Sequence, residues 1–182
     1  MVEENTDRAG WLMLLYKYFE FDYPKFYKMD NLSKLGWLAT EVLLRNDFLK
    51  TYQPQEIGIV LVNKSSSLDT DIKYYETAKG MASPALFVYT LPNIVMGEIS
   101  IRHGVKGENT LFVSDCFEIG FMQKYVQNLF ETGVVQSCIC GWLEFFENKA
   151  EAALYLVEKI DQGKSLLFTE ENINKIYQLT NG

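Results

Sequence analysis

Six consecutive apolar residues, Ile57-Gly58-Ile59-Val60-Leu61-Val62, stand between the polar loop Gln53-Pro54-Gln55-Glu56 and the small polar stretch 63–67. A run this short, β-branched and free of polar alternation reads as a strand covered on both faces. Such a strand needs helices above and below its sheet, which puts it at the centre of a layered α/β fold.

The flanking segments supply those helices. Met29–Asn46 places Leu32, Leu35, Leu38 and Val42 at helical spacing behind an Asp30 or Asn31 N-cap. Leu68–Lys79 reads as a helix capped by Asp69 or Thr70, and Ser83-Pro84 resets the chain. Asn93–His103 reads as a helix in which Gly97 permits a close backbone approach, closed by Gly104. After the Gly107-Glu108-Asn109 turn come a strand at Thr110–Ser114 and a helix at Phe117–Phe130, its apolar face marked by Phe117, Phe121, Tyr125 and Leu129. Gly133 ends that helix, and apolar strands follow at Val134–Trp142 and Ala152–Val157. Ser165–Gln178 suggests a short β segment and then a helix opening on acidic residues. Gly10–Glu20 is apolar almost throughout, and its pattern selects no element type. Its aromatics, Trp11, Tyr16, Tyr18 and Phe19, together with Phe21 and Tyr23, read as core or interface.

At 182 residues one domain is expected, burying about 70% of the surface its unfolded chain exposes. With 17 basic against 24 acidic residues the net charge is −7, which disfavours a nucleic-acid partner. No apolar run is long enough to span a membrane, and Val2-Glu3-Glu4-Asn5 does not begin a secretory signal, so the expected location is cytoplasmic. The three cysteines, Cys116, Cys138 and Cys140, make no disulfide framework, and a Cys-x-Cys pair with one distant histidine falls short of a zinc site. Neither metal nor cofactor is expected. Cys138 and Cys140, either side of Ile139 on a buried strand, read as core.

Several short motifs follow one another in order: Lys28-Met29-Asp30, Leu32-Ser33-Lys34-Leu35, Ile57-Gly58-Ile59-Val60, Ser83-Pro84-Ala85-Leu86-Phe87, Thr90-Leu91-Pro92-Asn93, Gly97, His103-Gly104-Val105-Lys106-Gly107 and a strand–Cys116–helix junction. Together they resemble the N-terminal half of a β-ketoacyl-acyl-carrier-protein synthase. The resemblance covers residues 28–146, with GVVQSCICGWLE (Gly133–Glu144) similar to the family's next strand and its Gly-Gly-x-Glu turn. Residues 1–27 and 147–182 are divergent, although the strand at 153–157 resembles one that opens the family's second half.

The resemblance implies a thiolase-like half of βαβαβαββ type, a mixed sheet packed between helices. It puts Cys116 at the acyl-accepting nucleophile, Leu86, Phe87 and Phe117 at an acyl pocket or dimer interface, and Asn93, Gly97 and Gly107 in structural roles, with Asn93 bonding backbone across its turn. A helix N-terminus beside Cys116 favours thiolate, whereas Asp115 and Glu118 oppose it and Phe117 fills space an acyl chain needs. The family's catalytic histidine pair lies in its second half, which the resemblance leads one to expect is missing here. His103 reads as a polar helix-end residue.

The expected function is an accessory, non-condensing ketosynthase-like subunit in fatty-acid, polyketide or aryl-polyene-type synthesis. It would pair with itself or a full-length ketosynthase through the edge at Thr110–Ser114. The alternatives are a Cys-dependent acyltransferase acting on acyl thioesters and a non-catalytic homodimeric scaffold. An acyl carrier protein, being acidic, would need a basic patch, for which Lys25, Lys28, Lys34 and Arg102 are the candidates.

Overall fold

The computed structural model describes residues 7–45, 48–159 and 166–180. Residues 1–6, Asn46 and Ser165, which entered the readings above, lie outside them. The central run forms β1 (Ile57–Asn63), buried at every position. It lies parallel between β2 (Asn109–Val113) and β3 (Ser137–Phe146), and β4 (Lys149–Glu158) pairs antiparallel with β3, giving the order β2-β1-β3-β4. Period-two alternation divides the core. Ile57, Ile59 and Leu61 face one layer, while Val60 and Val62 face the other.

The first layer contains α1 (Arg8–Tyr18), α2 (Asn31–Leu43) and α5 (Ile94–His103). Asp30 caps α2 by accepting from Ser33 N at 3.0 Å. Leu32, Leu35 and Leu38 are buried as their spacing predicts, but Val42 is 43% exposed. Tyr16 and Phe26 form an aromatic cluster with Trp37 of α2, Tyr16 and Phe26 being stacked at 4.3 Å, whereas Tyr18 is exposed. The second layer contains α6 (Ile119–Glu131) and α7 (Glu170–Thr180). The buried face of α6 is Ile119, Met122, Val126 and Leu129. Phe121, expected on that face, is half exposed and packs edge-on to Phe112 instead. Cys138 and Cys140 are fully buried against α6, and burial pushes the Cys140 thiol up.

The α/β class and the mixed sheet between helices are as expected, but the half-fold is one strand short. A βαβαβαββ unit counts five strands, and the described residues form four, with helix α1 at the start. The turn that the resemblance implies at the end of Gly133–Glu144 is also absent, because β3 runs on to Phe146. It turns at Glu147-Asn148, both at positive φ (48° and 59°), the two-residue geometry that returns a strand antiparallel. Helix α3 (Leu68–Ala78) starts after Ser67, which leaves Asp69 and Thr70 inside its first turn rather than at the cap. Residues 166–169 form no strand: Leu166 and Leu167 are exposed, and Thr169 Oγ1 accepts from Asn172 N at the start of α7.

Two glycines decide local packing. A Cβ at Gly107 would collide with the Ile57 carbonyl oxygen and stand 2.7 Å from that of Gln55. A Cβ at Gly97 would meet nothing within 4 Å; the close approach expected there is made by Gly36 of α2, whose Cβ would stand 2.5 Å from Val95 Cγ2 of α5.

Candidate functional site

The loop leaving β1, residues 64–67, leads by way of α3 and α4 (Pro84–Val88) to α5 on one face of the sheet. The loop leaving the adjacent β2, residues 114–118, leads to α6 on the other face. Adjacent parallel strands whose outgoing loops part in this way open a crevice at their C-terminal ends, the usual place for a ligand in open α/β sheets. Cys116 sits in the second of those loops. Ser114 N donates to Asn63 O at 2.8 Å, which extends the ladder to the base of the loop.

Cys116 is exposed, and its Sγ lies 3.2 Å from Glu118 Oε1 as donor to it. The Glu118 hydrogen bond, then desolvation, then the charges of Glu118 and Asp115 raise its pKa above the ordinary thiol value, against a lesser opposing pull from Lys64. Helix α6 begins at Ile119, beyond Cys116, and its N-cap Glu118 makes no side-chain capping bond. The carboxylates therefore prevail over the helix terminus, and the sulfur is held as a neutral thiol. The nearby N–H groups of Lys64 and Ser65, which could polarise a carbonyl, already donate to Glu144 Oε2 at 2.8 and 3.1 Å. Phe117 turns inward between Trp142 and Tyr177, at ring-centroid distances of 5.9 and 5.2 Å.

His103 is at the opposite end of the strands. It ends α5 and borders a cavity of about 360 Å3 together with Pro54 and Ile57, the entrance to β1. The seven residues of β1 separate the two ends by about 20 Å. His103 Nε2 lies 3.2 Å from Glu41 Oε1, and Arg102 grips the same carboxylate through Nε and Nη2 at 2.7 and 3.1 Å. Burial works against the charge on Glu41, but the hydrogen bonds and charges of His103 and Arg102 outweigh it and hold the carboxyl down at about 2. Among the described residues no thiol–imidazole pair exists.

The remaining expected residues are dispersed. Phe87 on α4 is 59% exposed and packs on Tyr74, while Leu86 is partly buried. Asn93 caps α5 through its backbone carbonyl, which accepts from Met96 and Gly97; its side chain makes no capping bond. Of the basic residues, Lys25 pairs with the buried Glu98 at 2.7 Å and Arg102 with Glu41. Among the described residues no group of three or more His, Cys, Asp or Glu side chains could hold a metal ion, and no helix is long and apolar enough to cross a membrane. The parts of the site that sequence reasoning missed are Glu144, which occupies the loop N–H groups, and the Glu41 link to His103. Both are contacts between residues more than 60 positions apart, with no local signal.

No family model matches the sequence, and neither does any curated protein. Solved structures do resemble the fold. A chain of the ishigamide ketosynthase/chain length factor structure aligns with a TM-score of 0.62 at 22% identity, over 80% of this chain and 49% of that one. The fold is thiolase-like. A chain from a type II polyketide synthase acyl-carrier protein in complex with its ketosynthase aligns with a TM-score of 0.55 at 21% identity, over 72% of this chain and 39% of the other. A third, from a ketosynthase in complex with its chain length factor from Xenorhabdus doucetiae, gives 0.53 at 15%, over 69% and 50%. The chain thus spans half the length of those chains or less.

Proposed function

We propose that the chain is an accessory, non-condensing ketosynthase-like subunit that pairs with a full-length ketosynthase or with a second copy of itself. One observation carries this reading. The cysteine at the strand–helix junction is a carboxylate-bound thiol, and the histidine lies beside Glu41, 3.2 Å from its carboxylate, at the far end of β1. Decarboxylative condensation requires an activated nucleophile and donors that stabilise an enolate and an oxyanion. This arrangement supplies neither.

Pairing is supported by the outer edge of β2, the last strand of its side of the sheet, and by the exposed apolar side chains Phe87, Val88 and Leu91. In that role the subunit shapes a partner's acyl tunnel in fatty-acid, polyketide or aryl-polyene-type synthesis, with an acyl carrier protein delivering substrate to the partner. The test is intact mass after incubation with acyl-carrier thioesters, comparing wild type and Cys116→Ala, with and without a co-purifying ketosynthase. No adduct, together with stable co-purification, is expected. Acylation that disappears in Cys116→Ala would replace this reading with a Cys-dependent acyltransferase. A stable dimer binding neither ketosynthase nor carrier protein would leave a homodimeric scaffold.

A further inference from the structure

An open groove of about 320 Å3 runs between α1, α2 and β4, outside the surfaces invoked above. Trp11, Leu15 and Phe19 form one wall at a spacing of four residues, and Ala39 and Val42 of α2 with Leu154 of β4 form the rest. The lining is predominantly apolar, and its volume lies at the lower end of small-molecule sites, about 300–1,000 Å3. The groove also explains why Val42, apolar and in step with the buried leucines of α2, remains 43% exposed: no element of the described chain covers it.

Charge distinguishes this groove from an ordinary uncovered patch. The guanidinium of Arg45 lies 4.3 Å above the ring of Phe19, and that of Arg8 lies 5.9 Å from the ring of Trp11. Neither arginine pairs with a carboxylate among the described residues, although the chain as a whole carries a charge of −7. Trp11 and Phe19 are about 12 Å apart along the helix. An apolar channel of that length with a cation against its end residue matches an alkyl chain ending in a carboxylate.

We propose that this groove binds a medium-chain fatty carboxylate of about ten carbons, the alkyl chain lying along α1 and the carboxylate meeting Arg45. The inference goes beyond the accessory-subunit reading and does not depend on it, since it concerns ligand binding by the isolated chain.

Tryptophan fluorescence offers a direct test, because Trp11 lines the groove while Trp37 of α2 is fully buried and Trp142 packs on the opposite face of the sheet. Titration with 11-bromoundecanoate below its micelle concentration should quench part of the emission saturably, and Trp11→Phe should abolish that part. Arg45→Gln, at an exposed position, should weaken binding about tenfold. Undecanol should compete no better against wild type than the acid does against Arg45→Gln. Among unbrominated competitors, each methylene removed should weaken binding about three- to fourfold. Absence of saturable quenching, quenching that persists in Trp11→Phe, or equal affinity in Arg45→Gln and wild type would overturn the proposal. So would saturable binding of an amphipathic peptide without binding of the acid, which would assign the groove to a protein partner. Ketosynthase pairing is read separately by co-purification, so failure of either proposal is distinguishable from failure of the other.

Discussion

At the C-terminal ends of β1 and β2 a thiol meets carboxylates; at the N-terminal end of β1, about 20 Å away, a carboxylate meets an arginine and the chain's one histidine. The same side-chain chemistry has opposite consequences at the two ends. Glu118 and Asp115 keep Cys116 protonated, whereas Arg102 and His103 keep Glu41 ionised. Reactive groups confer a shared chemistry only when tertiary structure brings them together, and here the length of a central strand holds them apart. The first edge is an exposed loop with little stability at stake, and the second is a partly buried junction on which α2, α5 and the entrance to β1 converge.

The largest effect should come from breaking the N-terminal end. Gly107→Val forces a side chain into the Ile57 carbonyl, which cannot yield without distorting β1. A loss of about 3 kcal/mol in urea unfolding is expected. Next comes Glu41→Gln. Folding depresses the Glu41 pKa to about 2, so its stabilisation is full above about pH 4.5 and disappears as pH falls through the folded value. The variant should lose about 2 kcal/mol at pH 7 and much less at pH 2.5, flattening the acid limb of the stability profile. Gly97→Ala should move the other way, adding about 0.5–1 kcal/mol, because the helix interior is open at that position.

The C-terminal edge should respond in reactivity rather than stability. Replacing both Asp115 and Glu118 by their amides should speed alkylation of Cys116 by iodoacetamide severalfold at pH 8 and move its pH–rate midpoint downward. An unchanged profile would mean that the carboxylates do not control the thiol. Cys116→Ser, at an exposed position with no packing role, should shift the unfolding free energy by no more than about 0.5 kcal/mol.

Much of the fold was legible in the sequence. The run at Ile57–Val62, the Asp30-capped helix and the Gly104 and Gly133 stops all correspond to observed features, because each depends on residues adjacent in the chain. The face of α6 was misread: Phe117 and Phe121 share the helical spacing of a buried stripe, yet Phe117 precedes the helix and Phe121 meets β2 at the sheet edge, where one side remains open. Gly97 and Gly36 show the same limit. Both are helical glycines, and only the neighbouring helix decides which of them must lack a Cβ.

For the candidate site, the sequence showed a cysteine at a strand–helix junction flanked by carboxylates, and a solitary histidine. Those facts rest on composition and short-range order. The parallel register that puts Cys116 and His103 at opposite ends of β1, the capture of the Lys64 and Ser65 amides by Glu144, and the stacking of Arg8 and Arg45 on the aromatic rings of the α1 groove were decided by the tertiary structure. Local sequence determines which backbone conformation a segment prefers. Only packing across the sheet determines which distant side chains become neighbours, and with them the charge each group carries and the surface each leaves open.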